Sequence, residues 1–209
     1  MTGTGSVFTI GHSTHQQDRL IALLRQHDIT AVCDVRSTPY SRLNPQFNRE
    51  QLAQALRSCG ISYLYLGKEL GARSDDPACY EAGKVQYGRL AETSLFKQGI
   101  ARVLAGMANG FRIALMCSEK EPLECHRTIL VARNLGALGV NIVHIHADGR
   151  LEGHDAALTR LIRLLRLPES DLFRSPEEII ADAYRKQEGR IAYETDQGPG
   201  EAIVKSTGE

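Results

Sequence analysis

No charge of either sign is in excess, because 25 Lys and Arg face 25 Asp and Glu and the sequence pI lies near 7.1. That balance excludes a protein whose whole surface attracts a polyanion, although a local basic cleft would survive in the total. No apolar run approaches the length needed to cross a bilayer, so no membrane association is expected. The opening MTGTGSVFTIGH lacks the charged, apolar and small-residue zones of a signal peptide, and a cytoplasmic location is expected. Neither a Walker phosphate loop nor a G-x-G-x-x-G fingerprint occurs, which leaves the chain without those two nucleotide-binding signatures. There is no internal repeat and no low-complexity block. The five cysteines, Cys33, Cys59, Cys79, Cys117 and Cys125, are odd in number and irregularly spaced. That pattern argues against a disulfide scaffold and for free thiols in a reducing compartment.

What is present reads as strands alternating with helices. Residues 7–10 form a β-prone run, followed by the Gly11-His12-Ser13-Thr14 turn and an amphipathic stretch carrying Leu20, Leu23 and Leu24. Thr14 with Gln17 predicts a capping box at that helix start, and Asn48 with Gln51 predicts a second helix that Gly60 ends. Residues 31–35, 61–66, 111–117 and 141–145 are further buried-strand candidates, and residues 67–86 read as a long connection. Leu95, Ile100, Val103, Leu104 and Met107 recur with helical spacing, and residues 155–165 predict a helix packed on the sheet edge. The alternation predicts one α/β domain over residues 1–167, three-layered, with a mainly parallel sheet and helices on both faces. Residues 168–209 read as a polar C-terminal arm, helical over 176–188, with a poorly ordered tail from residue 195.

In such a sheet, ligands gather beyond the carboxyl ends of the parallel strands. The first strand delivers His12 and Ser13 there, the second Asp34 and Arg36, the fourth Cys117 and Glu119, and the fifth His144 and His146. In MCSEKEPLECHR, Cys117 ends a strand while Cys125, His126 and Arg127 open a helix, whose N-terminus favours a thiolate and an anionic group. The candidate catalytic groups are therefore Cys117 or Cys125 as nucleophile, with His126 or His12 moving the proton. Ser13, Asp34, Arg36, Tyr40, Arg42, Asn48, Glu119 and Arg127 are the candidate substrate-binding residues, because guanidinium forks match phosphates and aromatic rings stack bases. Cys33, Cys59 and Cys79 read as packing residues. Cys117, Cys125 and His126, with His12 or Cys33, contain zinc-type ligands, but their spacing is unlike common zinc knuckles, so no metal site is assigned.

The motifs IGHST (residues 10–14), DVRSTPYSR (34–42), FN (47–48), YLGKELGAR (65–73) and MCSEKEPLECHR (116–127) resemble the domain-of-unknown-function 488 family. The resemblance covers roughly residues 7–150 and continues weakly through AYRKQEGRIAY. It implies positions rather than a named substrate. Ala72 stands after Gly71 where the family pattern has a second glycine. More distantly, DVR after a strand and a cysteine between strand and helix are similar to rhodanese and cysteine-phosphatase arrangements. Those loops close on an arginine after about five residues, and here Arg127 comes later.

The leading expectation is a thiol-dependent enzyme, a transferase or hydrolase, acting on a small anionic or nucleotide-like ligand. One alternative is a non-catalytic module that binds nucleic acid or a nucleotide in the same crevice, and another is a zinc-stabilised interaction domain. The residues specify no cofactor and no oligomeric state.

Overall fold

The computed structural model describes residues 5–195. In chain order the elements are β1 (Ser6–Gly11), α1 (Gln17–Gln26), β2 (Ala31–Asp34), α2 (Arg49–Ser58), β3 (Ser62–Tyr65) and α3 (Gly67–Leu70). A small hairpin follows, β4 (Tyr80–Glu81) with β5 (Lys84–Val85), then α4 (Tyr87–Glu92), α5 (Ser94–Ala108) and β6 (Ile113–Cys117). A π-helical stretch, Arg127–Ala132, runs into α6 (Arg133–Ala137), and β7 (Asn141–Ile145), β8 (Leu151–Gly153), α7 (His154–Leu164) and α8 (Pro176–Ile191) complete the fold.

Six strands form one sheet in the order β3-β2-β6-β1-β7-β8, parallel throughout except that β8 runs against β7. Strand alternation divides its side chains between two cores. Phe8, Ile10, Val32, Ala114, Met116 and Ile145 point to α1 and α2, where they meet Leu20, Leu23, Leu24, Leu52 and Leu56. Val7, Cys33, Leu115, Cys117 and Ile142 point to the other face, against Phe96, Val103, Leu130, Leu161 and Ala183. The expected three-layer α/β architecture is present, and each fully buried leucine contributes about 1.5–3 kcal/mol to holding it.

Several local expectations are corrected. The Thr14–Gln17 capping box does not form: Gln16 is the N-cap of α1 without a side-chain bond, and the Gln17 amide instead donates to the Gln46 carbonyl (2.7 Å). Asn48 does sit at the N-cap of α2, but its Oδ1 accepts from the Ser41 backbone N–H and caps nothing. Residues 67–86, read as a long connection, hold α3, the short turn Pro77–Cys79 and the hairpin. β8 was not expected. It follows a turn at Gly149, whose φ of 94° lies in the left-handed region glycine tolerates. Helix α8 extends to Ile191, opens with a Ser175–Glu178 capping box and buries Ile179, Ala183, Tyr184 and Gln187. Apart from Thr195, the tail expectation lies outside the described residues.

Candidate functional site

The carboxyl ends of β2, β6 and β1 lie side by side, and the chain segments leaving them stay bonded. The His12 N–H donates to the Cys117 carbonyl and the Ser13 N–H to the Ser118 carbonyl, both at 2.9 Å. Gly11 permits this closeness, because a Cβ there would sit on the Glu119 carbonyl. Ser13, at φ 49°, takes a left-handed conformation that side chains rarely adopt. The Met116-to-Arg127 turn therefore shares one rim with the turns after β1 and β2.

On the β2 side, Arg36 is fully engaged. Its Nε and one terminal nitrogen fork onto Asp34 at 2.8 and 2.6 Å, the same nitrogen donates to the Phe47 carbonyl, and the other lies 3.2 Å from His12 Nε2. Tyr63 adds a hydroxyl bond to Asp34 (2.7 Å). His12 Nδ1 donates to the Ser13 carbonyl, which leaves Nε2 as acceptor for Arg36, and the ring stacks on Phe47 at 4.3 Å. Burial, reinforced by the Arg36 charge, lowers the His12 pKa to about 4. A neutral imidazole with both nitrogens committed is a strut and has no proton to exchange with a ligand.

The β6 side is built differently. Cys117 ends the strand, the turn Pro122–Glu124 follows, and Cys125 stands in extended conformation at the head of a continuous helix over residues 126–137. Its carbonyl accepts from the Thr128 and Ile129 N–H groups. The loop is anchored from outside: Glu121 accepts from Leu123 N–H and from Arg160 of α7, and Gln187 of α8 donates to the Leu123 carbonyl (2.8 Å). The His126 ring donates from Nε2 to the Val35 carbonyl (2.9 Å) and turns Nδ1 to the Cys117 and Cys125 sulfurs, 3.7 and 3.9 Å away.

Arg127, the next residue, is fully buried and gives its terminal nitrogens to the Glu119 and Lys120 carbonyls. Its Nε has no partner, and no carboxylate of the described residues pairs with it. Burial opposes ionisation of Cys125, but the hydrogen bond from Cys117, the Arg127 charge and His126 outweigh it and hold that thiol well below its ordinary range. Cys117, which shares the proton and is buried, is pushed well up. His126 is raised despite burial, because Cys125 and the Val35 carbonyl favour the imidazolium. All three shifts run toward the same ion pair, a Cys125 thiolate beside a His126 imidazolium, with the shared proton kept on Cys117.

These groups line a cavity of about 740 Å³, with Arg36, Ser37, Thr38 and Tyr87 on one part of its wall. Glu119 also lines it, its carboxyl pKa raised by burial and by the charge of Cys125. Among the expected residues, Cys117, Cys125, His126, Arg36 and Glu119 meet here. Asp34 and Arg127 lie behind the wall, and His12 and Ser13 brace it. Tyr40 and Asn48 stand apart: the Tyr40 hydroxyl donates to Glu50 on the surface, and Asn48 closes its own loop. Arg42 is exposed outside the cavity. His144 and His146 also stay away, the first buried between Thr9 and His154 and the second paired with Glu152.

Sequence reasoning missed Arg73, Gln187, Arg190 and Tyr193, which complete the wall, with the Arg73 guanidinium 4.1 Å over the Tyr193 ring. Their signal was the ELGAR motif and the AYRKQEGRIAY segment. For a metal, Cys117, Cys125 and His126 are the one such group among the described residues, with donor atoms within 4.8 Å of one another; Cys33 and His12 are not in it.

No curated protein matches the chain, and no solved structure matches it either. The family described as Domain of unknown function DUF488 matches residues 16–134, more than half of the chain, and the protein belongs to it.

Proposed function

We propose that this DUF488 member is a thiol-dependent enzyme, a transferase or hydrolase working in the cytoplasm on a small anionic or nucleotide-like substrate. The observation that carries the reading is the buried Arg127, which has no carboxylate partner among the described residues and whose charge acts on two thiols and an imidazole that line the cavity. A buried cation needs a counter-charge, and the Cys125 sulfur at a helix N-terminus is the group placed to supply it. Cys125 is the nucleophile. Its sulfur forms a bond to an electrophilic centre, and the departing group takes the proton from His126 Nδ1. Cys117 donates its S–H to steady the attacking sulfur. Water or a second substrate then displaces the product and returns a proton to His126, with the Glu119 carboxyl at the cavity wall as a further proton-transfer group. Arg73 and Arg190, exposed at the wall, are the cations free to meet the substrate's negative charge, because Arg36 spends its fork on Asp34.

The nucleic-acid reading relied on Arg36 and Arg42 for phosphate. The first is committed to Asp34 and the second lies outside the cavity, so the small-ligand reading is preferred.

A charge-selective pair of alkylating agents tests the proposal. Iodoacetate and iodoacetamide differ in charge at nearly the same size. Cys125 is expected to favour iodoacetate relative to a free thiol, with inorganic phosphate slowing the reaction and Arg73→Ala with Arg190→Ala abolishing the preference. Equal, slow modification of Cys125 by both agents would count against the reading.

A further inference from the structure

The spacing of the same three side chains carries a consequence independent of covalent chemistry. In a tetrahedral zinc site with bonds of about 2.3 Å to sulfur and 2.0–2.1 Å to nitrogen, each S···N edge is about 3.6 Å. The two edges here, from His126 Nδ1 to Cys117 and to Cys125, are 3.7 and 3.9 Å. Both S···N edges thus stand close to the spacing a zinc-class ion requires, and all three donor atoms lie within 4.8 Å of one another.

We infer that Cys117, Cys125 and His126 form a binding site for a soft divalent cation of the zinc class, with its fourth position open to the cavity. Three further features fit. The His126 Nε2–H bond to the Val35 carbonyl fixes the ring so that Nδ1 faces the sulfurs, the outer-sphere support that metal-ligating histidines have. All three residues are buried, so little reorganisation stands between the empty and filled states. The donors line the cavity, which gives the ion an entry path and leaves one position for water or a cavity ligand, as in three-ligand zinc sites.

Binding forms two S–metal bonds and one N–metal bond and releases to solvent the protons the thiols and imidazole carried. Occupation of Cys125 removes the nucleophile, so the ion and an alkylating agent exclude each other. That exclusion rests on the proposed function; metal binding itself does not.

The test uses the full-length, reduced, metal-stripped protein and Co²⁺ as a spectroscopic probe. One equivalent is expected to give sulfur-to-cobalt charge-transfer absorption in the near ultraviolet and the strong visible bands of a tetrahedral ion, both lost on adding Zn²⁺. Cys117→Ser and Cys125→Ser should each remove the charge-transfer band or halve it, and weaken Zn²⁺ binding against a chromophoric chelator by about a hundredfold. Cys59→Ser, away from the cluster, should change neither reading. Absence of the band in folded wild-type protein would overturn the inference, as would a band that survives in both cluster variants. Alkylation of Cys125 in the metal-free protein keeps the two ideas separate. If it proceeds while no cobalt band forms, the metal inference fails alone; if the band forms and Cys125 is inert when stripped, the enzyme reading fails alone.

Discussion

Two buried arginines, Arg36 just past the end of β2 and Arg127 in the helix that follows β6, are treated oppositely by their surroundings. Arg36 has a bidentate carboxylate, a carbonyl and an imidazole, so its charge is neutralised where it sits. Arg127 has only carbonyl oxygens and an unpartnered Nε, so its charge is left to act on whatever lies near it. A saturated polar network fixes shape. An arginine without a counter-ion biases the protonation of its neighbours, and those neighbours here are the thiols and His126.

Breaking the saturated side should cost the most. Asp34→Ala leaves Arg36 buried and unpaired, and urea denaturation should show about 3–5 kcal/mol lost. Retained stability would mean the pair does not organise the β1–β2 rim.

A second measurement uses pH. His12 falls from 6.5 unfolded to about 4 folded, so the unfolded chain binds more protons between those values. The stabilisation is complete above pH 6.5 and is lost as pH falls toward 4, by about 3 kcal/mol from this group. His144, lowered to about 3 by burial, acts in the same direction. A urea midpoint that stays flat from pH 7 to 4 would contradict the assignment of His12 as a buried neutral strut.

Much of this arrangement was legible in the sequence. The parallel sheet could be read because residues 111–117 and 141–145 are short apolar runs between helical repeats. Cys117, Cys125 and His126 could be grouped because one twelve-residue segment carries all three from a strand end into a helix. An Asp34–Arg36 ion pair and a His12 bond to its own turn were within reach of the sequence, but the completion of the Arg36 set by the Phe47 carbonyl and the His12 ring was not, because those are three-dimensional neighbours. Arg190 and Tyr193 were hidden for a similar reason: they reach the cavity from the far end of α8. The Thr14 capping signal failed because Gln17 found a tertiary acceptor in Gln46.

Smaller effects sharpen the contrast. Arg127→Met removes the unpaired cation while keeping bulk, and alkylation of Cys125 near neutral pH should slow roughly tenfold, with Arg127→Lys intermediate. An unchanged rate in a folded variant would detach Arg127 from the thiol. At the other extreme, Tyr40→Phe loses only a surface bond to Glu50 and should shift stability by less than about 0.5 kcal/mol without altering alkylation.

The most direct measurement compares Cys125 with Cys59 in native, metal-free protein under limiting iodoacetamide, followed by mass spectrometry. Cys59 is the most accessible of the five thiols, the other four being buried, and burial pushes Cys33 up to about 12. If exposure alone governs, Cys59 is modified first, and that result would contradict the account. If the unpaired arginine and the helix N-terminus govern, the buried Cys125 reacts ahead of it.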